Sequence, residues 1–337
     1  MSGARLGTLA ARCLVALLPI AAVAKAQAVS PALLVLEKGA RSLAIVDPGK
    51  LEVVARVDAG DDPHEVVASE DGKFAYISNY GAFGTPGHTL SVVDLAARKA
   101  LAPVDLGALG APHGLELVAG KVYFTAEGSK MIGRYDPAAR RVDWALGIGQ
   151  NRTHMLVVAR DLERIFTANV NSDTITILER AKGGDVSGWT MTHLPVGKGP
   201  EGFDVSPDGR ELWAANSHDG TVSVVDVDAR KVRQTLPLGT KFANRLKFTP
   251  DGKRVLVSDL GTGDLLILDA ATGRELKRIG LGHGAAGILV AADGSRAFVA
   301  VSPDDCVAVV DLRSLSVTGR VSTGKGPDGL AWAGAVR

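Results

Sequence analysis

A sequence motif of roughly 42 residues recurs along this chain and restricts the folds that are open to it. Each copy has an apolar segment, an Asp-Gly turn, a second apolar segment that ends in Asn or Asp, and two further apolar segments. The clearest copy runs from Gly199 to Leu238, with its turn at Asp208-Gly209. Asp-Gly between two apolar segments favours a hairpin, because glycine accepts the positive φ of a tight turn. Four short strands per copy predict one blade of a β-propeller, since a lone blade cannot bury both of its faces.

The number of blades follows from one equivalent residue in each copy, and we call the set of these residues the anchor ring. In most copies the anchor residue lies seven residues before the turn, and in two copies it is identified by the proline that precedes it, Pro112 or Pro327. The anchor ring consists of His64, His113, His154, Glu201, Asn244, Ala286 and Asp328. The chain therefore predicts an all-β, seven-bladed propeller of four-stranded antiparallel blades. The last strand, near 329–333, would pair with the N-terminal blade, so that the ring closes without a free sheet edge.

The N-terminus has the pattern of a secretory signal peptide. Arg5 and Arg12 precede an apolar run over 13–23, which is short for a membrane span, and small residues follow up to Ala28. We expect residues 1–28 to be a signal peptide and 29–337 to form a single propeller domain in a periplasmic or secreted protein. After cleavage no membrane span would remain. A retained membrane anchor is the alternative.

Charge and cysteine content restrict the partners of the exported chain. Removing Arg5, Arg12 and Lys25 changes 38 basic against 37 acidic residues to 35 against 37, a net charge of −2. Such a nearly neutral chain, without basic and aromatic residues interleaved, argues against nucleic-acid binding. Only Cys306 remains, so no intrachain disulfide can form. We expect a monomer.

The second segment of each blade resembles a known repeat. Examples are Tyr76-Ile77-Ser78-Asn79, Tyr123-Phe124-Thr125-Ala126, Phe166-Thr167-Ala168-Asn169, Trp213-Ala214-Ala215-Asn216 and Leu256-Val257-Ser258-Asp259. They resemble the YVTN-type propeller repeat, typified by YncE-like periplasmic proteins. The resemblance implies a propeller and leaves its function open, because such propellers serve as binding platforms, surface proteins, lactonases and lyases. Some YncE-like proteins also suggest nucleic-acid binding, against which the charge argues.

The topology brings two sets of residues to the mouth of one central funnel. The first is the anchor ring. The second, which we call the loop ring, ends the second strands and consists of Glu37, Asn79, Ala126, Asn169, Asn216, Asp259 and Val301. Neighbouring loops add Glu65, Tyr80, Glu127, Arg152, Asn171, His218, Arg245 and His283. Asn and Asp in the loop ring are also typical turn-stabilising residues, and Arg152 and Arg245 could either clamp an anion or solvate a loop.

The anchor ring carries the candidate chemistry. His64, His113, His154 and Glu201 lie on consecutive blades and form a candidate metal site, since imidazole binds Zn²⁺ and other divalent transition metals. Without a metal, His154 could be a general base with Glu201 as its partner. A solvated polar ring is the third possibility, because adjacent anchors could lie too far apart for one ion.

These observations lead to two functional hypotheses. The first is an exported binding or scaffold propeller that presents a His-rich funnel to a small ligand, a metal or a protein partner. The second is a metal-assisted hydrolase or lyase of the lactonase-like kind. The candidate funnel residues are His64, His113, His154, Glu201, Asn244, Arg245, His283, Asp328, Asn79, Asn169, Asn216 and Asp259.

Overall fold

The sequence repeat corresponds to a ring of antiparallel sheets in the computed structural model. Residues 31–82, 84–181 and 188–334 are described, together with Met1 and Gly3. Within these residues seven sheets form, and each contributes one blade of a propeller. The fold predicted from the repeat is thereby confirmed. The predicted signal peptide lies almost entirely outside the described residues.

Blades 1 to 3 contain the first twelve strands and the last one. Blade 1 consists of β1 (Ala32–Glu37), β2 (Ser42–Asp47), β3 (Glu52–Asp58) and the C-terminal β29 (Pro327–Ala333). Blade 2 consists of β4 (Pro63–Ala68), β5 (Phe74–Ala82), β6 (Thr85–Asp94), β7 (Lys99–Ala100) and β8 (Val104–Asp105). Blade 3 consists of β9 (Pro112–Val118), β10 (Lys121–Ala126), β11 (Met131–Asp136) and β12 (Arg141–Gly147).

Blades 4 to 7 repeat one plan of four consecutive strands. Blade 4 has β13 (Thr153–Val158), β14 (Arg164–Asn169), β15 (Thr174–Arg180) and β16 (Trp189–Pro195). Blade 5 has β17 (Pro200–Val205), β18 (Glu211–Asn216), β19 (Thr221–Asp226) and β20 (Lys231–Pro237). Blade 6 has β21 (Ala243–Phe248), β22 (Arg254–Asp259), β23 (Asp264–Asp269) and β24 (Glu275–Gly280). Blade 7 has β25 (Ala285–Val290), β26 (Arg296–Val301), β27 (Cys306–Asp311) and β28 (Ser316–Ser322).

Short 3₁₀ turns connect second and third strands in four blades. They span Lys38–Ala40, Glu127–Ser129, Val170–Ser172 and Ser302–Asp304. No helix among the described residues has the length and apolar character needed to cross a membrane.

The ring closes through blade 1, as the sequence predicts. β29 is the innermost strand and pairs antiparallel with β1, with Leu33 opposite Trp332 and Val35 opposite Leu330. One sheet therefore contains both ends of the propeller. Unfolding either end removes an inner strand pair, so the two ends are energetically coupled.

Blade 2 departs from the common plan. Its second and third strands extend into a longer hairpin, in which Gly81 pairs with Pro86 and Ala82 with Thr85. Its outer strand is interrupted, since β7 and β8 both pair with β6. The longer hairpin carries Tyr80 on the funnel face.

The hydrophobic core lies between neighbouring blades. The middle strands are nearly continuous buried runs, such as Val122–Ala126, while outer strands such as β12 alternate between exposed and half-buried residues. Trp213, Phe124, Phe166 and Phe298 are the largest fully buried side chains among the described residues. Each contributes about 2–3 kcal/mol by leaving water. This packing holds the inner strands, and with them the anchor ring, in fixed positions.

Candidate functional site

The anchor ring surrounds one cavity. All seven of its residues line a funnel of about 600 Å³ at the mouth of the propeller axis. Arg152 and Arg245 line the same funnel. The residues of the loop ring do not contribute to this lining, although they end strands on the same face.

Hydroxyl groups of the second strands fix the anchor residues across blade boundaries. Thr125 Oγ1 accepts the N–H of Gly114 at 2.8 Å and donates to the carbonyl of His154, in the next blade, at 2.9 Å. Ser78 Oγ does the same between blades 2 and 3, donating to the carbonyl of His113 at 2.7 Å. Each buried hydroxyl therefore ties one anchor position to its neighbour.

Glycine after an anchor residue lets the inner strands approach closely. A Cβ at Gly114 would lie 2.8 Å from the carbonyl oxygen of His154, which is closer than such atoms can approach. The strands of blades 3 and 4 can therefore come together only because residue 114 has no side chain. As a result the His113 and His154 ring centroids lie 3.7 Å apart. The His64 and His113 centroids, at a boundary where Glu65 follows the anchor residue, lie 4.6 Å apart.

His154 lies between two carboxylates. Its Nδ1 is 2.5 Å from Glu127 Oε1, and its Nε2 is 3.0 Å from Glu201 Oε1. Because a carboxylate only accepts, Nδ1 carries the proton in the first contact. The hydroxyl of Tyr80, in the long hairpin, donates to Glu127 Oε2 at 2.7 Å. Glu127 is thus held from two sides.

Burial and charge set the protonation of this cluster. Burial opposes a charge on His154, but Glu201 and Glu127 together outweigh it and raise the pKa of His154. Burial, followed by the neighbouring His154 charge, holds the pKa of His113 well below its usual value. Burial alone would raise the pKa of Glu201, but His154, Arg152 and Arg245 lower it to about 2. His113 is therefore a neutral imidazole next to charged partners.

Two buried polar atoms at the funnel, His113 Nδ1 and Glu201 Oε2, have no hydrogen-bond partner among the described residues. Between them, His154 Nε2 makes only the ion-pair contact with Glu201 Oε1. Their side chains are at most 4% exposed as residues, so water is largely excluded from them. Unsatisfied buried polar atoms are costly, and two of them at one cavity indicate a site for a ligand or an ion.

Three of these side chains could hold a metal ion. His113, Glu127 and His154 each offer one ligand atom, and these atoms lie within 4.8 Å of one another. Two donors on a tetrahedral Zn²⁺ are about 3.3 Å apart, so Glu127 Oε1 and His154 Nδ1 would need to separate by about 0.8 Å. Glu201 is not part of this group of three, but its carboxylate contacts the other ring nitrogen of His154.

His64 differs from the set predicted from the sequence. Its Nε2 lies 3.1 Å from Asp62 Oδ2 and its Nδ1 lies 3.3 Å from Lys38 Nζ. Both ring nitrogens are therefore engaged, and the His64 ring contacts His113 at an interplanar angle of 53° without offering a free nitrogen. The group that could hold a metal contains Glu127 instead.

The polar residues of the loop ring bond to their own blades. Three asparagines of the loop ring each donate through Nδ2 to two hydroxyl groups of the adjoining third strand. These residues are Asn79, Asn169 and Asn216, and the acceptors are threonine or serine side chains. Asp259 accepts the N–H groups of Lys241, Phe242 and Gly261. These contacts stabilise turns, which is the alternative that the sequence left open for them.

Two more candidates lie away from the histidine cluster. The His283 side chain is 87% exposed, bonds to Asp304, and does not line the funnel. Arg245 lies 2.5 Å from Glu65, which belongs to a blade on the other side of the axis. We call this buried ion pair the crossbar. It lies between the funnel and a second cavity of about 530 Å³ further along the axis.

Comparisons with known proteins support the fold. A functionally unknown protein from Desulfotomaculum acetoxidans DSM 771 aligns with a TM-score of 0.73 and 14% identity, over 90% of this chain and 99% of that one. Hydrazine synthase from Kuenenia stuttgartiensis aligns with a TM-score of 0.68 and 17% identity, over 80% of this chain and 89% of that one. No family model matches the chain, and the search of curated proteins gave no match. At these identities the similarity extends to the propeller fold alone.

Sequence reasoning placed Glu127 near the funnel but not among the candidate metal ligands. Glu127 is not one of the positions that recur in every repeat. It follows Ala126 of the loop ring and begins a 3₁₀ turn. Its location after the second strand of a His-bearing blade is the signal that could have included it. Its contact with His154, in the next blade, depends on how blades 3 and 4 pack.

Proposed function

We propose that this protein is an exported binding propeller that holds a divalent transition-metal ion, such as Zn²⁺, in its funnel and presents it to a small ligand. The observation that carries the proposal is the pair of unpartnered buried atoms, His113 Nδ1 and Glu201 Oε2, on either side of His154. An ion next to them could be bound by lone pairs that the described residues leave unused. His113, Glu127 and His154 are the ligands we assign, with Glu201 beside them.

The donor set fits a borderline metal. Two imidazoles and a carboxylate suit Zn²⁺ and related ions, and three protein ligands leave a coordination position open. His113 supports this assignment because its neutral ring keeps a lone pair available. The Tyr80 hydroxyl would orient Glu127, as partners of metal ligands commonly do.

A metal-assisted hydrolase or lyase is the second candidate. The open coordination position favours it, since a metal-bound water can become a nucleophile. Glu201 argues against acid–base chemistry without a metal, because a carboxylate with a pKa of about 2 is a weak base at neutral pH. We place binding before metal-assisted catalysis because the unpartnered atoms at the cavity require a bound group and no reaction.

Export and family membership belong to the same proposal. The charged, apolar and small-residue pattern of residues 1–28 supports export, and the recurring second-strand segments support a YVTN-type relationship. Mass spectrometry of the protein purified from the producing cell tests export. A mature chain that begins near residue 29 would support it, and an intact N-terminus would contradict it.

Metal titration tests the binding function. Metal-free protein should take up about one equivalent of Zn²⁺ with measurable heat. His154→Ala should weaken this binding at least about a hundredfold, because loss of a direct ligand exceeds the 10–100-fold typical of outer partners. His283→Ala is the matched control, since this exposed histidine lies on the same face outside the funnel.

Two outcomes would contradict the proposal. One is an absence of Zn²⁺, Co²⁺, Ni²⁺ and Cu²⁺ binding by folded wild-type protein. The other is equal metal affinity in the wild type and in His154→Ala, with circular dichroism confirming that both are folded.

A further inference from the structure

The funnel contains a polar cluster and a separate apolar patch. Blades 3 to 5 contribute the imidazoles and carboxylates of the metal site. Blades 6 and 7 add the apolar Phe242, Leu260 and Ala286 beside the polar Asn244, Arg245 and Ser302. Phe242 and Leu260 are neighbours, since the Leu260 N–H donates to the Phe242 carbonyl, and both are partly exposed. Phe242 and Leu260, which we call the apolar wall, share one cavity with the polar cluster, which favours a ligand with a polar end and an apolar body.

Arg152 adds a cation next to the metal site. Its guanidinium lies 3.8 Å from Glu127 Oε2 and 3.7 Å from Glu201 Oε1, which is too far for direct hydrogen bonds. Its N–H groups can therefore donate to a ligand in the funnel. The backbone of Arg152 has a φ of 53°, at a position where blade 5 has Gly199. This conformation is strained for a residue with a side chain.

The charges around the metal site determine which polar group of a ligand would bind there. A divalent ion bound by two neutral imidazoles and Glu127 keeps one positive charge, which the adjacent Glu201 carboxylate balances, so Arg152 supplies the remaining positive charge that favours an anion. The guanidinium of Arg152 matches the planar geometry of a carboxylate.

We infer that the funnel takes a small carboxylic acid whose carboxylate lies between the metal ion and Arg152 and whose apolar body packs on Phe242 and Leu260. This inference rests on the proposed metal site. The crossbar of Arg245 and Glu65 limits the depth of the funnel, so the ligand enters from the mouth. The cavity of about 600 Å³ is in the range of sites for small molecules.

A homologous series of ligands tests the inference. Acetate, propionate, butyrate and pentanoate are titrated by calorimetry into Zn²⁺-loaded protein, with the alcohols of equal length in parallel. Affinity for the acids should rise about fourfold with each added methylene until the apolar wall is covered. The alcohols should bind at least about tenfold more weakly than the matching acids, because they lack the charge that Arg152 and the ion recognise.

Two variants assign the two ends of the ligand. Arg152→Met should weaken all four acids by about tenfold, whereas Phe242→Ala should reduce the gain per methylene and change acetate little. Arg140→Met and Leu276→Ala are the controls and should bind the acids as the wild type does. Arg140 shares the φ of 53° in a turn between third and fourth strands, and Leu276 is an exposed apolar residue of an outer strand.

The outcomes separate this inference from the proposed function. Zn²⁺ binding with equal affinity for acids and alcohols, or with no rise along the series, would overturn the carboxylic-acid ligand and leave the metal site intact. Absence of Zn²⁺ binding would overturn the proposed function and the inference together. Equal effects of Arg152→Met and Arg140→Met would overturn the role of Arg152.

Discussion

The anchor ring and the loop ring lie on the same face of the propeller and are similarly polar in sequence, yet their side chains do different things. Asn169 in the loop ring is fully buried and bonds to Thr153, Thr174 and Thr176. His113 in the anchor ring is also buried, but its Nδ1 has no partner among the described residues. Asn79 Oδ1 and Asn216 Oδ1 of the loop ring also lack a partner among the described residues, but neither residue lines the funnel. The comparison therefore indicates that unsatisfied polar atoms mark a candidate site where they also face the cavity.

Substitution of Arg245 in the crossbar should have the largest effect on stability. Arg245 lies next to the anchor residue Asn244, but unlike His113 it is paired, so we expect it to have a structural role. Arg245→Met should lower the free energy of unfolding by about 3–5 kcal/mol, since it leaves the Glu65 charge buried and uncompensated. The double variant Arg245→Met with Glu65→Leu should recover most of this loss. Urea denaturation measures both.

A surface pair of equal length is the control for the crossbar. Arg230 lies 2.5 Å from Glu179, but the Arg230 side chain is 49% exposed, so Arg230→Met should cost less than about 1 kcal/mol. Equal losses in Arg230→Met and Arg245→Met would show that burial does not govern the crossbar.

Substitutions in the loop ring should lower the free energy of unfolding and leave the Zn²⁺ affinity unchanged. Asn169→Ala removes hydrogen bonds to three threonines and should cost about 2–3 kcal/mol in urea denaturation. Zn²⁺ affinity of the folded variant should equal that of the wild type. Asn171→Ala, an exposed neighbour, is the control. Loss of Zn²⁺ binding at unchanged stability would reverse the roles assigned to the two rings.

Tyr80 tests how the hairpin of blade 2 supports the anchor ring. Tyr80→Phe removes the donor to Glu127 Oε2 and should weaken Zn²⁺ binding about tenfold, as loss of an outer partner does. Calorimetric titration measures this effect. Tyr123→Phe, in the second strand of blade 3 and outside the funnel lining, should bind Zn²⁺ like the wild type. Identical affinities in the two variants would remove Tyr80 from the site.

Substitution of Glu116 should have the smallest effect on stability. Glu116 lies on β9, the inner strand of blade 3, beyond the anchor residue His113. Burial raises the pKa of Glu116 to about 7, although it accepts the Val158 N–H at 2.7 Å. The folded protein therefore binds this proton more tightly than the unfolded chain, so stability should fall as pH rises from about 4.5 to about 7. Glu116→Gln keeps an acceptor and should be about 1 kcal/mol more stable than the wild type at pH 8.

Urea denaturation at pH 5 and pH 8 measures the Glu116 effect. Glu163→Gln, whose parent side chain is 63% exposed, should leave the difference between the two pH values unchanged. A wild type and a Glu116→Gln variant with the same pH dependence would show that Glu116 does not titrate in this range.

The sequence predicted the blades, their number, the closing strand and the anchor positions. These follow from local information, because Asp-Gly turns and alternating apolar segments specify hairpins, and a repeated hairpin pair has to stack to bury its faces. The sequence also predicted that His113, His154 and Glu201 would meet at one funnel, and they line it together. The repeat register alone was sufficient for this result.

The partners of each side chain were decided by the tertiary structure. His64 is engaged by Asp62 and Lys38, whereas Glu127 reaches the histidine of the next blade. A repeat register places residues on a ring but does not give the distance between neighbouring blades. That distance depends on the absence of a side chain at Gly114 and on the hydroxyl of Thr125, which joins the two inner strands. The sequence by itself therefore determined which residues face the axis, and the packing of blade against blade determined which of them touch.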